Sequence, residues 1–292
     1  MMLARWGAHP RIGKMDSLSI YKSIRKSLQG YGFGNFYPIR IFNTYLMKRL
    51  KQDRCEVHGH TMFLDKNDAQ SLSVEENYEP VETNYAIQNI KKGDIVLDLG
   101  AFIGYYTLVF ARLVGPEGKV YAFEPNPENF AILKRNVEYN GYKNVVLINK
   151  AVSNKNGKLQ FFLSKLNEGA GSLRVMYDKE LGSENEIKTI EIESVKLDDY
   201  FKTGKINFIK MDIEGAEYLA LLGMQNMIRR SPNIKMMVEY QPLTLSASGV
   251  QPHKLISLID ELGFKIHNSQ DKDIGSYNID KGWTNLFCER NG

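Results

Sequence analysis

"DIVLDLGAFIGYYTL", residues 94–108, is an apolar run that ends in an acidic residue and two spaced glycines. Its first seven residues predict a strand that is buried on both faces, because apolar side chains occupy nearly every position. The glycines predict a tight turn, and "YYTLVFARLVG" predicts a helix that ends at Gly115. A strand that leads through a glycine turn into a helix is typical of a nucleotide-binding α/β domain.

Strand and helix patterns alternate along the chain beyond this stretch. The predicted strands are "KVYAFEP", "NVVLINKAV", "INFIKMD" and "IKMMVEY", and the predicted helices are 127–140, 215–228 and 252–262. This alternation predicts an α/β fold with a doubly wound, mostly parallel sheet. Between residues 158 and 198, apolar and polar residues alternate singly instead. That pattern predicts antiparallel strands with one exposed face.

The first 60 residues differ in composition from the rest. They hold 11 Lys/Arg and 3 Asp/Glu, a net charge of +8, whereas all 292 residues together carry +4. They are rich in aromatic residues, and helices are expected at about 17–28 and 38–52. We therefore predict a basic, aromatic-rich helical extension over 1–60 and an α/β domain over 61–292. The extension is either a helical cap whose lysines face water or a surface for peripheral contact with an anionic partner, such as a membrane or a nucleic acid.

Composition also limits the class of protein. The two cysteines, Cys55 and Cys288, are too few for a disulfide framework and lack the CxxC spacing of zinc sites. No run reaches the roughly 18 uncharged apolar residues that a membrane span needs. The N-terminus has no apolar segment of the kind found in signal peptides. We therefore expect a cytoplasmic protein.

The turn after the first strand indicates which nucleotide would bind. The dinucleotide fingerprint GxGxxG is absent, since Gly100 and Gly104 have GxxxG spacing and Ala101 stands nearly where the second glycine would be. Asp98 precedes the turn, and an acidic side chain is a poor neighbour for a phosphate. Asp98 is better suited to a cationic group, such as an ammonium or a sulfonium.

A second acidic residue ends the next predicted strand. Glu124 lies 26 residues beyond Asp98, where a carboxylate can accept hydrogen bonds from two ribose hydroxyls. Asn126 has two open interpretations, because it can cap the following helix or contact the adenine. Asp98 and Glu124 are therefore predicted to bind one cofactor together.

Six stretches together resemble one family in order and spacing. They are "DLGAFIGYYTL", "AFEPNPENFAILKRNVEYNG", "AVSNKNGKLQFF", "LDDYF", "INFIKMDIEGAEYLALLGM" and "MVEYQP". They resemble the FkbM-type S-adenosylmethionine-dependent methyltransferases over about residues 60–245. The resemblance implies a seven-stranded class I methyltransferase fold whose last strand is antiparallel. It also implies roles for the cofactor-binding residues: the methionine part would lie against Asp98, Gly100, Ala101 and Gly104, the ribose against Glu124 and the adenine near Asn126. Phe102 departs from the family, which usually has Asn at this position.

Methyl transfer to a hydroxyl needs a base that removes the hydroxyl proton. "KMDIEGAE" places Asp212 and Glu214 at the end of a strand that lies beside the first one in this topology, and Glu239 ends the strand after that. These three carboxylates are the candidate catalytic residues, although Asp212 can also simply cap the following helix. Their spacing does not require a metal ion, and we predict none.

The sequence leaves several functions open. We favour O-methylation of a hydroxyl on a sugar, a glycan or a small-molecule natural product. RNA methylation is an alternative because of the basic extension, and a non-catalytic S-adenosylmethionine-binding module is another. A nicotinamide oxidoreductase is disfavoured by the missing GxGxxG. The methyl acceptor and the oligomeric state are not determined by the sequence.

Overall fold

The computed structural model describes residues 52–73, 78–164, 171–172, 187–268 and 282–290. All of these residues except Gln52 belong to one compact unit, Asp53–Gly292. The helices expected at 17–28 and 38–52 lie outside the described residues. The unit begins before the boundary predicted after residue 60, because Arg54–Val57 pairs antiparallel with His60–Phe63.

The described elements follow the alternation that the sequence predicts. The strands are β1 Arg54–Val57, β2 His60–Phe63, β3 Ile95–Leu99, β4 Lys119–Phe123, β5 Val145–Ile148, β6 Ala151–Val152, β7 Gly157–Ser164, β8 Gly171–Ser172, β9 Ile187–Val195, β10 Phe208–Met211, β11 Lys235–Tyr240, β12 Lys265–Asn268 and β13 Thr284–Glu289. The helices are α1 Pro80–Asn89, α2 Tyr105–Val114, α3 Pro127–Tyr139, α4 Leu197–Tyr200, α5 Glu217–Leu222, α6 Gln225–Arg229, α7 Pro242–Ala247 and α8 His253–Glu261.

Seven of the described strands form the main sheet, in the order β12-β13-β11-β10-β3-β4-β5. The pairs from β11 through β5 are parallel, whereas β13 is antiparallel to both of its neighbours. The sheet reverses its strand order beside β3, which is where open α/β sheets bind their ligands. The predicted class I methyltransferase fold, with one antiparallel strand near the end, is confirmed.

Strand β3 is buried on both faces, as its apolar run predicts. Leu97 and Leu99 pack into the core on one face of the sheet, and Val96 packs into the core on the other. Helices cover both faces because a parallel sheet needs crossover connections. The carboxyl end of β3 is therefore held rigidly where the glycine turn begins.

A second sheet of four described strands has the order β6-β9-β7-β8. Strands β7 and β9 pair antiparallel from Gly157 opposite Ser194 to Ser164 opposite Ile187. The antiparallel strands predicted between 158 and 198 are thus confirmed. This sheet brings Ala151, Val152 and Phe161 to the cleft described below.

The helix predicted over 215–228 is interrupted. It forms two short helices, α5 and α6, with a break at Gly223 and Met224. The carbonyl of Gly223 accepts a hydrogen bond from the backbone N–H of Asp198, at 2.9 Å. At this point the carbonyl of Gly223 therefore bonds to α4 instead of continuing the hydrogen bonds of one long helix.

Candidate active site

The carboxyl ends of the central parallel strands meet at one edge of the main sheet, where they border a cleft of about 210 Å³. The glycine turn after β3, the end of β4 and the loop after β10 all contribute to its wall. Of the residues predicted to bind the cofactor or to act in catalysis, the lining contains Gly100, Ala101, Glu124, Asp212 and Glu214. Those predicted residues that do not line it are Asp98, Gly104, Asn126 and Glu239.

The glycine turn is held by main-chain contacts on both sides. The N–H groups of Gly100 and Ala101 both donate to the carbonyl of Phe123, at 3.0 and 2.9 Å. Gly100 has φ +82°, and a Cβ atom added there would lie 1.8 Å from the carbonyl oxygen of Asp212. No other residue fits at this position, because the ends of β3 and β10 approach each other directly over it.

The local backbone conformation explains why residue 104 is a glycine. It precedes the first residue of α2 with φ +100°, and a Cβ atom there would lie 2.7 Å from Cδ1 of Leu133. The positive φ is the main reason for a glycine at this position, since the Leu133 methyl group is the end of a flexible side chain. The predicted role of Gly104 at the cofactor is indirect in this geometry, since it sets the course of the turn from behind the wall.

Glu124 directly follows β4, with its carboxylate at the cleft. Oε2 accepts a hydrogen bond from the N–H of Phe102 at 2.8 Å, and Oε1 accepts one from the N–H of Asn126 at 2.9 Å. Burial raises the pKa of Glu124 to about 7, although these N–H donors act in the opposite direction. Each carboxylate oxygen has two lone pairs, so both retain acceptor capacity for a ribose hydroxyl.

Phe102, which stands where the family usually has Asn, still makes the hydrogen bond to Glu124. Phe102 adopts φ +50°, a left-handed conformation that Asn tolerates better than a bulky residue does. Its contact with Glu124 is made by the backbone N–H, which every residue except proline provides. The substitution therefore changes the wall of the cleft rather than the anchoring of Glu124.

The structure shows Asn126 as the cap of the following helix. Its Oδ1 accepts a hydrogen bond from the N–H of Glu128 at 3.0 Å, at the start of α3, and its side chain is buried. Pro127 follows as the first helical residue. Contact between Asn126 and an adenine stays a prediction.

Asp98 lies beneath the cleft. It is fully buried, and its Oδ2 accepts a hydrogen bond from Oγ1 of Thr107 at 2.5 Å. Within the described part of the chain, its Oδ1 has no hydrogen-bond partner. Burial raises the pKa of Asp98, whereas the charge of Lys210 lowers it.

Sequence reasoning missed Lys210, a buried lysine on the cleft wall. Its Nζ lies 3.0 Å from Oδ2 of Asp212 and 3.5 Å from the carbonyl oxygen of Gly100. The parallel pairing of β3 with β10 also places Lys210 opposite Asp98. A signal was present, because a lone lysine in the apolar strand "INFIKMD" must find a partner when it is buried.

Carboxylates surround this lysine. Burial acts to lower the pKa of Lys210, but the charges of Asp212, Asp98 and Glu79 outweigh burial and raise it above its usual range. Lys210 is thus protonated at neutral pH. Three carboxylates act on this one lysine, which favours a positively charged ligand beside them.

Further acidic residues continue along the edge. Glu214 lines the cleft, and burial together with the charge of Asp212 raises its pKa to about 7. Glu217 is buried and holds the loop, since its Oε1 accepts from the N–H groups of Ile213 and Gly215 at 3.0 and 3.2 Å. Glu239 accepts a hydrogen bond from the indole N–H of Trp283 at 2.6 Å. The three candidate catalytic residues therefore share one edge, but Glu239 lies outside the cleft wall.

Aromatic side chains form another wall of the cleft. Tyr78, Tyr105 and Tyr106 line it, with ring centroids 5.3 Å apart for the first pair and 5.1 Å for the second. The hydroxyl of Tyr106 donates to Oε2 of Glu79 at 2.8 Å. Aromatic faces beside carboxylates attract a cation that has lost its water.

Two further features of the described residues bear on the sequence predictions. No group of three or more His, Cys, Asp or Glu residues among them is arranged to hold a metal ion. None of the described helices is long and apolar enough to cross a membrane.

The profile of the methyltransferase FkbM domain matches residues 98–266, which is more than half of the chain. The chain belongs to the FkbM methyltransferase family. The match covers the glycine turn, the end of β4 and the acidic edge, so this FkbM methyltransferase carries the family's domain over most of the candidate site.

The relatives of this FkbM methyltransferase are distant. Hexuronic acid methyltransferase AglP of Haloferax volcanii is 25% identical over 197 residues, which is 65% of this chain and 73% of that protein. Protein-L-isoaspartate O-methyltransferase of Methanothrix thermoacetophila is 42% identical over 60 residues, 20% of this chain and 29% of that protein. The match thus spans less than a third of the isoaspartate methyltransferase. The structure of methyltransferase FkbM from Methylobacillus flagellatus has 14% identity and a TM-score of 0.41, over 87% of this chain and 60% of that one.

S-adenosylmethionine is the cofactor of this FkbM methyltransferase. The residues present fit it. Glu124 has acceptor capacity for the ribose, and backbone at Gly100 and Ala101 lines the middle of the cleft. The buried Asp98 oxygen without a partner and the tyrosine wall suit a positively charged sulfonium.

Proposed function

We propose that this FkbM methyltransferase transfers a methyl group to a hydroxyl of a sugar, a glycan or a small-molecule natural product. The observation that carries the proposal is Glu214, a carboxylate on the cleft wall whose pKa is raised to about 7. A general base works best when its pKa lies near the working pH. Glu214 meets that condition beside the negative charge that suits a sulfonium.

The residues have distinct roles in the proposed reaction. When bound, S-adenosylmethionine supplies a methyl group on a positively charged sulfur. Glu214 takes the acceptor's hydroxyl proton as the new oxygen–carbon bond forms and the sulfur–carbon bond breaks, so one proton ends on Glu214. Lys210 orients Asp212 through the 3.0 Å ion pair, and Glu124 is proposed to fix the ribose. Holding donor and acceptor in line supplies much of the rate.

Asp212 is less suited to be the base than Glu214. Its Oδ2 is paired with Lys210, so one of its oxygens is already satisfied by a cation. We therefore assign proton removal to Glu214 and a positioning role to Asp212. Glu239, which the sequence placed with them, is proposed to act at the acceptor.

The proposal is tested with methyl-deuterated S-adenosylmethionine and a panel of hydroxylated acceptors. We expect label on an acceptor oxygen, with kcat rising as the pH increases through about 7 while Glu214 loses its proton. Glu214→Gln is expected to abolish this rise and to leave the heat of S-adenosylhomocysteine binding unchanged. Glu191→Gln, which removes an exposed carboxylate on β9, is the control. Label on nitrogen, or an unchanged pH profile in Glu214→Gln, would refute the assignment.

The partners of residues 1–60 are a separate proposal. Their net charge of +8 supports peripheral contact with an anionic surface, and nucleic acid is a less favoured partner. RNA binding would weaken steeply with salt, because bound phosphates release counterions. Filter binding of RNA at 50 and 200 mM salt tests that alternative, and a salt-independent or absent signal would exclude it.

A further inference from the structure

The sheet edge continues beyond the cofactor cleft. The cleft lies over β3, β4 and β10, and the next strands outward are β11 and β13. Glu239 near the end of β11 is opposite Asn285, and Tyr240 is opposite Thr284. Trp283 directly precedes that pair. Glu239 and Trp283 therefore stand at the same edge as the proposed base, on the side away from the ribose-binding Glu124.

Trp283 is fixed in orientation while its ring stays accessible. Its indole N–H donates to Oε1 of Glu239 at 2.6 Å, yet the side chain is 52% exposed. Leu243 at the start of α7 is 76% exposed. A large apolar ring that is anchored by its polar atom and open on its face is suited to stacking against a flat apolar surface of a ligand.

Glu239 has a second oxygen that this contact does not use. Its Oε2 is buried, and within the described part of the chain it has no hydrogen-bond partner. Buried polar atoms in native proteins are nearly always paired, so an unpaired one at a binding edge calls for a hydrogen-bonding group from a ligand. A hydroxyl group meets this need, because it can donate to a carboxylate oxygen or accept from a protonated one.

We infer that Trp283 and Glu239 form the acceptor subsite and that it holds an uncharged sugar ring. A pyranose combines the two required features, because its C–H groups form an apolar face and its hydroxyls project from the rim. The face would stack on the indole, and one hydroxyl would form a hydrogen bond with Oε2 of Glu239. This inference rests on the proposed hydroxyl-methylating function and names the acceptor class for it.

The charge of the edge sets the preference for an uncharged ring. Burial and the charges of Asp212, Glu214 and Glu217 raise the pKa of Glu239 well above its usual range, so this cluster of four acidic residues already opposes further negative charge. A sugar acid would bring another carboxylate into this cluster, and like charges brought together at a binding site oppose association. The subsite therefore discriminates against uronic acids, in contrast to what the name of the AglP relative states for that protein.

Tryptophan fluorescence measures this binding directly, without turnover. The chain has two tryptophans, Trp6 and Trp283, so Trp6→Phe leaves Trp283 as the single reporter. With S-adenosylhomocysteine present, we expect saturable fluorescence changes with methyl glucoside, methyl mannoside or methyl galactoside. Methyl glucuronoside is expected to bind at least tenfold more weakly than methyl glucoside. No change with any uncharged glycoside, or equal affinity for the glucuronoside, would overturn the inference.

Kinetics with two variants separate this inference from the proposed function. Trp283→Ala should raise the acceptor KM at least tenfold and leave S-adenosylhomocysteine binding unchanged. Tyr139→Ala is the matched control, because Tyr139 is 56% exposed but ends α3. Sugar binding by Trp283 without any methylation would refute the proposed function and keep the subsite. Methylation with the same KM in Trp283→Ala would refute the subsite and keep the function.

Discussion

Lys210→Met is expected to destabilise this protein far more than removal of a comparable surface lysine. The side chain of Lys210 is 8% exposed and that of its partner Asp212 is 30% exposed, with the charged atoms 3.0 Å apart. Methionine keeps the length of the side chain but leaves the neighbouring carboxylates without their cation. Breaking a buried ion pair from one side costs about 3–5 kcal/mol. The partial exposure of Asp212 places the expected loss near the lower limit, about 3 kcal/mol.

The chain provides a matched control in Lys235→Met. Lys235 also pairs at 3.0 Å, with Glu289, but these side chains are 34% and 38% exposed. Solvent screens such a pair, so its loss should cost about 0–1 kcal/mol. The two lysines thus share charge and pair distance and differ in burial.

Urea unfolding at pH 7, followed by far-ultraviolet circular dichroism on the full chain, measures both losses. A loss of about 3 kcal/mol corresponds to a midpoint lowered by about 1 M, since m is about 2–3 kcal/mol per molar for a domain of this size. The raised pKa of Lys210 means that its contribution is complete below the ordinary lysine pKa of about 10.4 and is lost only as the pH rises through the folded value. Equal losses for Lys210→Met and Lys235→Met would refute the argument from burial.

Two further predictions concern the cofactor cleft. Gly100→Ala is expected to abolish the heat of S-adenosylhomocysteine binding in calorimetry, because the new Cβ would lie 1.8 Å from the carbonyl oxygen of Asp212. Gly93→Ala has a similar φ of +85° with nothing within 4 Å, so it should cost only about 1 kcal/mol and keep the heat; the clash argument is wrong if the two variants behave alike. Glu124→Gln should raise the dissociation constant of S-adenosylhomocysteine at least tenfold, since the amide loses one acceptor oxygen. Unchanged affinity would show that Glu124 does not bind the ribose.

The acidic edge also explains why the three candidate catalytic carboxylates are not equivalent. Asp212 is bound to a cation, Glu214 faces the cleft, and Glu239 is tied to an indole N–H. We therefore propose that the same chemical group, a carboxylate, serves positioning, proton removal and acceptor binding at three different residues. The difference comes from the partner of each carboxylate, which the local sequence does not reveal.

Local sequence determined the strand–turn–helix units of this protein. An apolar run such as "DIVLDLG" needs burial on two faces, and Gly100 and Gly104 permit backbone conformations and contacts that other residues oppose. Asn126 and Pro127 likewise carry a helix start in two adjacent residues. These features act over a few residues, so they can be read without the fold. The interrupted helix at Gly223 was missed because its cause is a contact with Asp198.

Only the tertiary structure shows which charged and aromatic residues of the site meet. Lys210 meets Asp98 only through the register of β10 against β3, and that residue pair is 112 positions apart along the chain. Trp283 meets Glu239 across 44 positions. The burial that raises the pKa of Glu214 also depends on the packing of the whole edge. Hydrogen bonds, ion pairs and desolvation act through distance in space, so sequence could identify these residues as charged or aromatic but only the folded chain could assign their partners.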